Sequence, residues 1–168
     1  MMRDLKLGQS VATLNPEGVP VTTRFIGWLH RDTMKEATFL QIRTSNGCLI
    51  SLTPDHIILE ASGMKLAGQL QLGDQLCSRQ GVLTIVTDIS EIRHTGVFSP
   101  LTTTSTLLVD GLLASCFARS NSNTIAPNMV TTYHRQAHFC FGPVRLCPSI
   151  MEDERSQEKV TCSLNSTP

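Results

Sequence analysis

The sequence lacks several patterns that would assign a small protein to a functional class. Lys plus Arg and Asp plus Glu both number 14, so neither charge is in excess to attract nucleic acid or an anionic surface. No apolar run approaches bilayer length, and Met1-Met2-Arg3-Asp4 does not open a signal peptide. The six cysteines include no C-x-x-C pair, which argues against a zinc knuckle. We therefore expect no nucleic-acid partner, no metal and no cofactor.

What the sequence contains is a succession of short apolar runs separated by turn residues. Its 168 residues, 40% of them hydrophobic, are enough for one domain with a real core. Asn46-Gly47 and Asp110-Gly111 are strong hairpin signals between β-branched runs. The predicted strands are residues 10–14, 19–29, 37–44, 48–52, 56–60, 75–78, 82–87, 106–109 and 112–118. This pattern predicts an all-β domain.

The character of the chain changes after Ala118. Residues 129–141 place apolar side chains about one helical turn apart, which predicts a short amphipathic helix. From Glu152 the sequence is polar to its end, as is typical of a disordered tail. We therefore predict a β domain at residues 1–119, a helical arm at 120–150 and a disordered tail at 151–168.

One turn between two apolar runs carries a chemical signal, Leu52-Thr53-Pro54-Asp55-His56. Proline suits the second turn position, and it biases Thr53 towards extended backbone. A hydroxyl and an imidazole then lie on neighbouring corners of one rigid bend. Such a pair can hold a peptide group while the imidazole transfers a proton. The same pattern also occurs in ordinary surface turns, so other segments have to support the functional interpretation.

A weak internal repeat links the two halves of the β region. Residues 4–11, DLKLGQSV, are echoed by residues 69–76, QLQLGDQL. Each copy leads into a strand, a turn and further strands. Two copies of one β unit predict a pseudo-twofold fold with its functional groups near the junction.

Several further segments occur in an order that is found in one family. They are Asp4-Leu5 with Leu7-Gly8 and Val11, Trp28-Leu29-His30-Arg31-Asp32, the Thr53–His56 turn, Leu72-Gly73-Asp74, Ser99-Pro100-Leu101-Thr102, and the run Leu108-Val109-Asp110-Gly111-Leu112-Leu113-Ala114-Ser115-Cys116-Phe117-Ala118. On these residues the chain resembles the Hint domain that forms the C-terminal, autoprocessing half of Hedgehog proteins. The resemblance covers about residues 3–147.

The resemblance implies a Hint fold, all-β with pseudo-twofold β subdomains and a short C-terminal helix. It also implies an intramolecular reaction, in which a cysteine at the start of the domain attacks the preceding peptide bond and converts the amide to a thioester. A second nucleophile then releases the upstream polypeptide, the partner in cis. In Hedgehog proteins that nucleophile is cholesterol, and a thiol is an alternative. Such proteins pass through the secretory pathway to the cell exterior.

The same resemblance assigns roles to four residues. It makes His56 the proton donor to the leaving nitrogen and Thr53 the group that hydrogen-bonds the amide. Cys116 matches a cysteine that lies near the nucleophile and is implicated in efficient processing. His30 stands where Hedgehog proteins carry an aspartate that activates the sterol hydroxyl, and imidazole can also act as a general base. The structural alternatives are a turn cap for His56 and a small buried residue for Cys116.

The chain also departs from the family pattern at its front. No cysteine precedes Cys48, which lies inside a predicted hairpin. We therefore expect a Hint domain without its first strand and its nucleophile, and inactive as given.

Other functional classes remain to be weighed against autoprocessing. A splicing intein would end in His-Asn, whereas Leu164 precedes Asn165, which disfavours splicing. A cysteine hydrolase that uses Cys116 and His56 would need a substrate cleft. The main alternative is a non-catalytic Hint remnant that acts as a β binding or structural module.

Overall fold

The protein is described by a computed structural model that covers residues 2–119, and there the chain is built almost entirely of β-strands. Short 3-10 turns at Met2–Asp4 and Ala67–Gln69 accompany them. The strands are β1 Ser10–Leu14, β2 Pro20–Thr44, β3 Leu49–Leu52, β4 His56–Glu60, β5 Gly63–Leu66, β6 Gln75–Cys77, β7 Leu83–Thr102, β8 Thr106–Val109 and β9 Leu112–Ala118. The all-β prediction is confirmed. The predicted helix at 129–141, the arm at 120–150 and the tail at 151–168 lie outside the described residues.

The strands form one antiparallel sheet that curves around the core. Its order is β1-β2-β7-β6-β4-β9-β8, with β3 also paired to β2 and β5 also paired to β4. β4 is therefore an inner strand between β6 and β9. Ile57 and Ile58 point to opposite faces of β4, and neither is exposed to solvent. Six of the seven residues of β9 are buried as well, so the sheet brings two inner strands together at the centre of the fold.

β2 and β7 pair along most of their length and form the longest ladder of the sheet. The sequence predicts two strands, 19–29 and 37–44, where the structure has one strand of 25 residues. The polar residues between them form an irregularity and not a turn. The Asp32 carboxylate accepts hydrogen bonds from Met34 N at 3.0 Å and Lys35 N at 2.9 Å, and pairing with β7 resumes at Glu36. The side chain thereby satisfies the backbone groups that the bulge takes out of the ladder.

The two copies of the sequence repeat follow the same course in the structure. In the first, a 3-10 turn leads into β1, which pairs with β2. In the second, a 3-10 turn leads into β6, which pairs with β7. The two hairpin turns contact each other at Gly18 and Gly81, and each of these glycines donates its N–H to the residue three positions earlier at 2.9 Å. The equivalent turns thus meet where a pseudo-twofold axis would pass between them.

The buried apolar side chains fall into two clusters, one on each side of β4. One cluster is Leu40, Ile42, Ile50, Leu52, Ile58, Ala67, Leu70, Leu76, Val86, Leu112 and Ala114. The other is Ile26, Ile57, Leu66, Leu101, Leu107, Cys116 and Phe117. Within residues 2–119 no helix has the length and apolar character needed to cross a membrane. The strand β4 contributes to both clusters, so its position is fixed from two sides.

Replacing Gly81 should reveal how much the contact between the two turns stabilises the fold. Gly81→Ala places a methyl group against the Gly18 carbonyl oxygen, and it also forces alanine into a positive φ of 71°. Gly47→Ala is the matched control, because Gly47 has a φ of 83° and open space around its Cβ position. We expect Gly47→Ala to lower the free energy of unfolding in urea by about 1 kcal/mol, and Gly81→Ala to lower it clearly more. Equal losses would contradict the proposed role of the contact.

Candidate active site

The turn that carries Thr53 and His56 is held rigidly by backbone hydrogen bonds. The carbonyl groups of Thr53, Pro54 and Asp55 each accept a hydrogen bond, one from within the turn and two from elsewhere in the chain. His56 N bonds Thr53 O at 2.9 Å, Gly68 N bonds Pro54 O at 2.8 Å, and Arg119 N bonds Asp55 O at 2.8 Å. The Asp55 carboxylate also forms an ion pair with the Arg119 guanidinium. The rigid bend predicted from the proline is therefore present, and the end of β9 fastens it from outside.

A bulge in the pairing of β4 with β9 sets the orientation of the His56 ring. His56 pairs with Ala118 and Ile58 pairs with Ala114, so two steps along β4 correspond to four along β9. The extra residues make β9 bend locally, as bulges do. As a result, the carbonyl oxygen of Ser115 lies 2.8 Å from His56 Nε2. The ring is thus fixed by a backbone group of the neighbouring strand.

This bond determines which ring nitrogen is available for proton transfer. A carbonyl oxygen only accepts hydrogen bonds, so Nε2 must carry a hydrogen and donate it to Ser115 O. In the neutral ring, Nδ1 is then the basic atom. Burial lowers the pKa of His56, and the bond to Ser115 O offsets part of that effect. At neutral pH the imidazole is therefore uncharged, with Nδ1 ready to accept a proton.

Cys116 follows Ser115 in β9, and its thiol is fully buried. Its N–H donates to Ser105 O at 2.9 Å, and its carbonyl oxygen accepts from Ser99 Oγ at 2.9 Å. Its Sγ lies 3.5 Å from Thr102 Oγ1. Cys116 is thus the residue next in sequence to the one whose carbonyl group orients His56.

Neither the Thr53 side chain nor the His30 side chain is hydrogen-bonded to His56 or Cys116 within residues 2–119. Thr53 is half-buried at the start of the turn, and within residues 2–119 no hydrogen bond engages its hydroxyl. His30 is exposed on β2, where it pairs with Ser99 of β7. Since Ser99 also donates a hydrogen bond to Cys116 O, the strand β7 lies between His30 on β2 and Cys116 on β9. No hydrogen bond or ring contact in the described part of the chain joins His30 to His56. Thr53 and His56 share one turn, and Cys116 follows the residue whose carbonyl oxygen binds His56, whereas His30 lies apart on β2.

Two groups of this site were not predicted from the sequence. The Ser115 carbonyl oxygen orients His56, and the Ser99 hydroxyl fixes the backbone of Cys116. A backbone carbonyl has no signature of its own in a sequence, because every residue has one. Ser99 belongs to the segment Ser99-Pro100-Leu101-Thr102, which entered the analysis only through the family order. The order of the segments along the chain was the only sequence signal that pointed to Ser99. That order does not show which atoms Ser99 contacts.

This arrangement is suited to proton transfer at a peptide group. It combines a neutral imidazole of fixed tautomer, a hydroxyl three residues before it in the same turn, and a buried thiol beside the orienting carbonyl. Within residues 2–119 no group of three or more His, Cys, Asp or Glu side chains is placed to hold a metal ion.

The fold is that of inteins. The gp41-1 intein superposes with a TM-score of 0.57 at 13% sequence identity, over 68% of this chain and 84% of the intein. A bacterial intein-like domain from Clostridium thermocellum gives a TM-score of 0.57 at 23% identity, over 68% of this chain and 86% of that domain. At these identities the likeness establishes the all-β architecture.

Sequence comparison establishes the family. The family model described as "Hint module" matches residues 1–162. Warthog protein 1 of Caenorhabditis elegans is 35% identical over 134 residues, 74% of this chain and 27% of that protein. The Tiggy-winkle hedgehog protein of Danio rerio is 30% identical over 164 residues, 89% of this chain and 36% of that protein. The chain belongs to the Hint module family, and it spans about a third of the length of the relatives that it matches.

The lowered pKa of His56 predicts how stability changes with pH. The unfolded chain, in which histidine has its ordinary pKa of 6.5, binds the proton more readily than the folded chain. The free energy of unfolding should therefore decrease as the pH falls from above 6.5 towards the lower folded value. Urea unfolding between pH 5 and 8 measures this slope, at about the range in which histidines titrate.

Two variants test the assignment of that slope to His56. His56→Gln should flatten the dependence, because the titrating group is lost. His94→Gln replaces an exposed histidine of β7 and should leave the contribution of His56 in place. A slope that is unchanged in His56→Gln would contradict the assignment.

Proposed function

We propose that this chain is the autoprocessing module of a longer protein. It acts on the peptide bond that joins it to an upstream polypeptide in cis, and a cysteine at that junction converts the bond to a thioester. The observation that carries the proposal is the geometry of His56. Its Nε2 is bound to Ser115 O at 2.8 Å, so Nδ1 is the atom left for proton transfer. Homology to the hedgehog and warthog proteins supports the same reaction class.

The proposed first step is an acyl shift from nitrogen to sulfur. The cysteine sulfur forms a bond to the carbonyl carbon of the preceding residue, and the carbon–nitrogen bond of the amide breaks. The thiol proton ends on the leaving nitrogen, so atoms and charge balance. A neutral His56 takes that proton at Nδ1 and then donates it, acting first as a base and then as an acid. Its lowered pKa suits both halves of the transfer, since it begins neutral and is a stronger acid once protonated.

Thr53 and Cys116 have supporting roles in this step. The Thr53 hydroxyl is available to hydrogen-bond the amide, and the turn holds it at a fixed separation from the imidazole. An amide held in this way has restricted freedom to leave the geometry in which attack takes place. Cys116 adds a buried polar group beside the Ser115 carbonyl. The placement of Thr53 and His56 on one rigid turn supports autoprocessing over a remnant that serves only as a binding module.

The second step requires a nucleophile that attacks the thioester, and here His30 is the relevant residue. It occupies the position of the aspartate that activates the sterol hydroxyl in Hedgehog proteins. His30 is exposed, and Asp32 nearby is already occupied by two backbone N–H groups. We propose that water or a small thiol is the second nucleophile, with His30 as its general base. By the same homology we propose that the longer protein enters the secretory pathway.

A first experiment tests the role of His56. In a form of the chain preceded by a reporter polypeptide and a first strand that begins with the junction cysteine, dithiothreitol should release the reporter. His56→Ala should slow this release by about 10²–10⁴-fold, the usual contribution of a general acid or base. His94→Ala is the matched control and should cleave like the parent. Equal rates of cleavage in the parent and in His56→Ala would contradict the proposal.

A second experiment tests the nature of the second nucleophile. The same extended form, incubated with labelled cholesterol, should release an unlabelled reporter, because the sterol-activating aspartate is replaced by His30. His30→Asp restores that carboxylate and serves as the positive comparison. Labelling of the parent that is abolished by His30→Ala would show that the imidazole activates a sterol, contrary to the proposal.

A further inference from the structure

One short segment, residues 99–105, makes three contacts with Cys116. Ser99 Oγ donates to Cys116 O at 2.9 Å, and Ser105 O accepts from Cys116 N at 2.9 Å. Thr102 Oγ1 lies 3.5 Å from Cys116 Sγ, a normal distance for a hydrogen bond that involves sulfur. Thr102, Ser105 and Cys116 are fully buried. The segment therefore fixes the backbone of Cys116 on both sides and provides its thiol with an oxygen partner.

The direction of the hydrogen bond between Thr102 and Cys116 follows from counting protons. A threonine hydroxyl has one hydrogen to donate and two lone pairs that accept. Thr102 Oγ1 lies 2.9 Å from Thr106 O, a carbonyl oxygen that can only accept. The hydroxyl hydrogen of Thr102 is therefore directed to Thr106 O. What Thr102 presents to the sulfur is a lone pair, and a lone pair attracts an S–H group and repels a thiolate.

We propose that Thr102 is a positioning residue for Cys116, which it holds as a neutral thiol with the S–H bond directed at Thr102 Oγ1. The chain of bonds then runs in one direction, from Cys116 to Thr102 and from Thr102 to the carbonyl of Thr106. This arrangement fixes both the rotamer and the protonation state of the thiol. Neither property is implied by the presence of a cysteine on a buried strand.

The consequence for processing rests on the proposed function. The thiolate is the nucleophilic form of cysteine, so a thiol held neutral is a poor nucleophile. Cys116 would then sit beside the reacting groups without competing with the junction cysteine for the amide or the thioester. Its contribution is that of an oriented polar group next to Ser115, whose carbonyl holds His56. The inference about Thr102 itself concerns only residues of this chain and is tested without any cleavage.

The S–H stretching band of Cys116 in infrared spectra of the 168-residue chain tests the proposal. The band is identified by subtracting the spectrum of Cys116→Ala from that of the parent. In the parent it should lie at lower frequency than the S–H band of a simple alkyl thiol in a hydrocarbon solvent, because the S–H group of Cys116 donates to oxygen. Thr102→Val removes the acceptor but keeps the side-chain shape, and the band should shift to higher frequency. Thr102→Ser keeps the hydroxyl and should retain the parent frequency.

Thr104→Val is the control for a change in the same hydroxyl network. Thr104 Oγ1 lies 3.4 Å from Thr102 Oγ1 and 3.2 Å from Thr106 O, and Thr104 is exposed. Its replacement should leave the Cys116 band in place. A parent band at the free-thiol frequency, or the absence of a Cys116 S–H band at neutral pH, would overturn the proposal even if Thr102→Val fails to fold. Because no reporter is released in this experiment, its failure is distinct from failure of the autoprocessing proposal.

Discussion

The hydrogen bond from His56 Nε2 to Ser115 O is the interaction on which the rest of the site depends. It is 2.8 Å long, and it joins the first residue of β4 to the middle of β9. It fixes the tautomer, so that Nδ1 is the basic atom, and it ties the ring to the residue that precedes Cys116. The geometry of a hydrogen bond between a side chain and a backbone carbonyl depends on how firmly the backbone is held. The precision here comes from the bulge between β4 and β9, whose position is set by Ala114 and Ala118.

The surrounding fold makes that bulge rigid. β4 is an inner strand whose Ile57 and Ile58 belong to different apolar clusters, so a shift of the strand in either direction would disturb packed side chains. Gly68 and Arg119 hold the turn by bonds to its carbonyl groups. The pseudo-twofold arrangement extends this support, because the equivalent hairpins meet at Gly18 and Gly81. The functional groups thus lie at the centre of the sheet and not on a mobile loop.

The hydroxyl-rich segment 99–105 supports the site by holding Cys116 in place. Its side chains and carbonyl groups hold Cys116 at three points, and Ser99 also pairs with His30 on β2. Through this segment, β7 connects the exposed His30 of β2 with the buried Cys116 of β9. His30 is thus exposed to solvent, whereas Cys116 is buried.

The sequence by itself predicted most of the strands and the candidate side chains of the site, because those signals are local, but it did not predict β5 or the full length of β7. Proline at position 54 and glycine at 111 bound β4 and β9, and both strands were predicted to the residue. Only the tertiary structure decided that Ser115 O meets His56 and that Thr102 meets Cys116, because these contacts depend on the register of strands far apart in sequence. It also decided that residues 20–44 form one strand where the sequence predicts two, since the Asp32 carboxylate satisfies the backbone N–H groups of Met34 and Lys35 at the irregularity. Non-local register has no marker in a single sequence, whereas turn residues and apolar runs do.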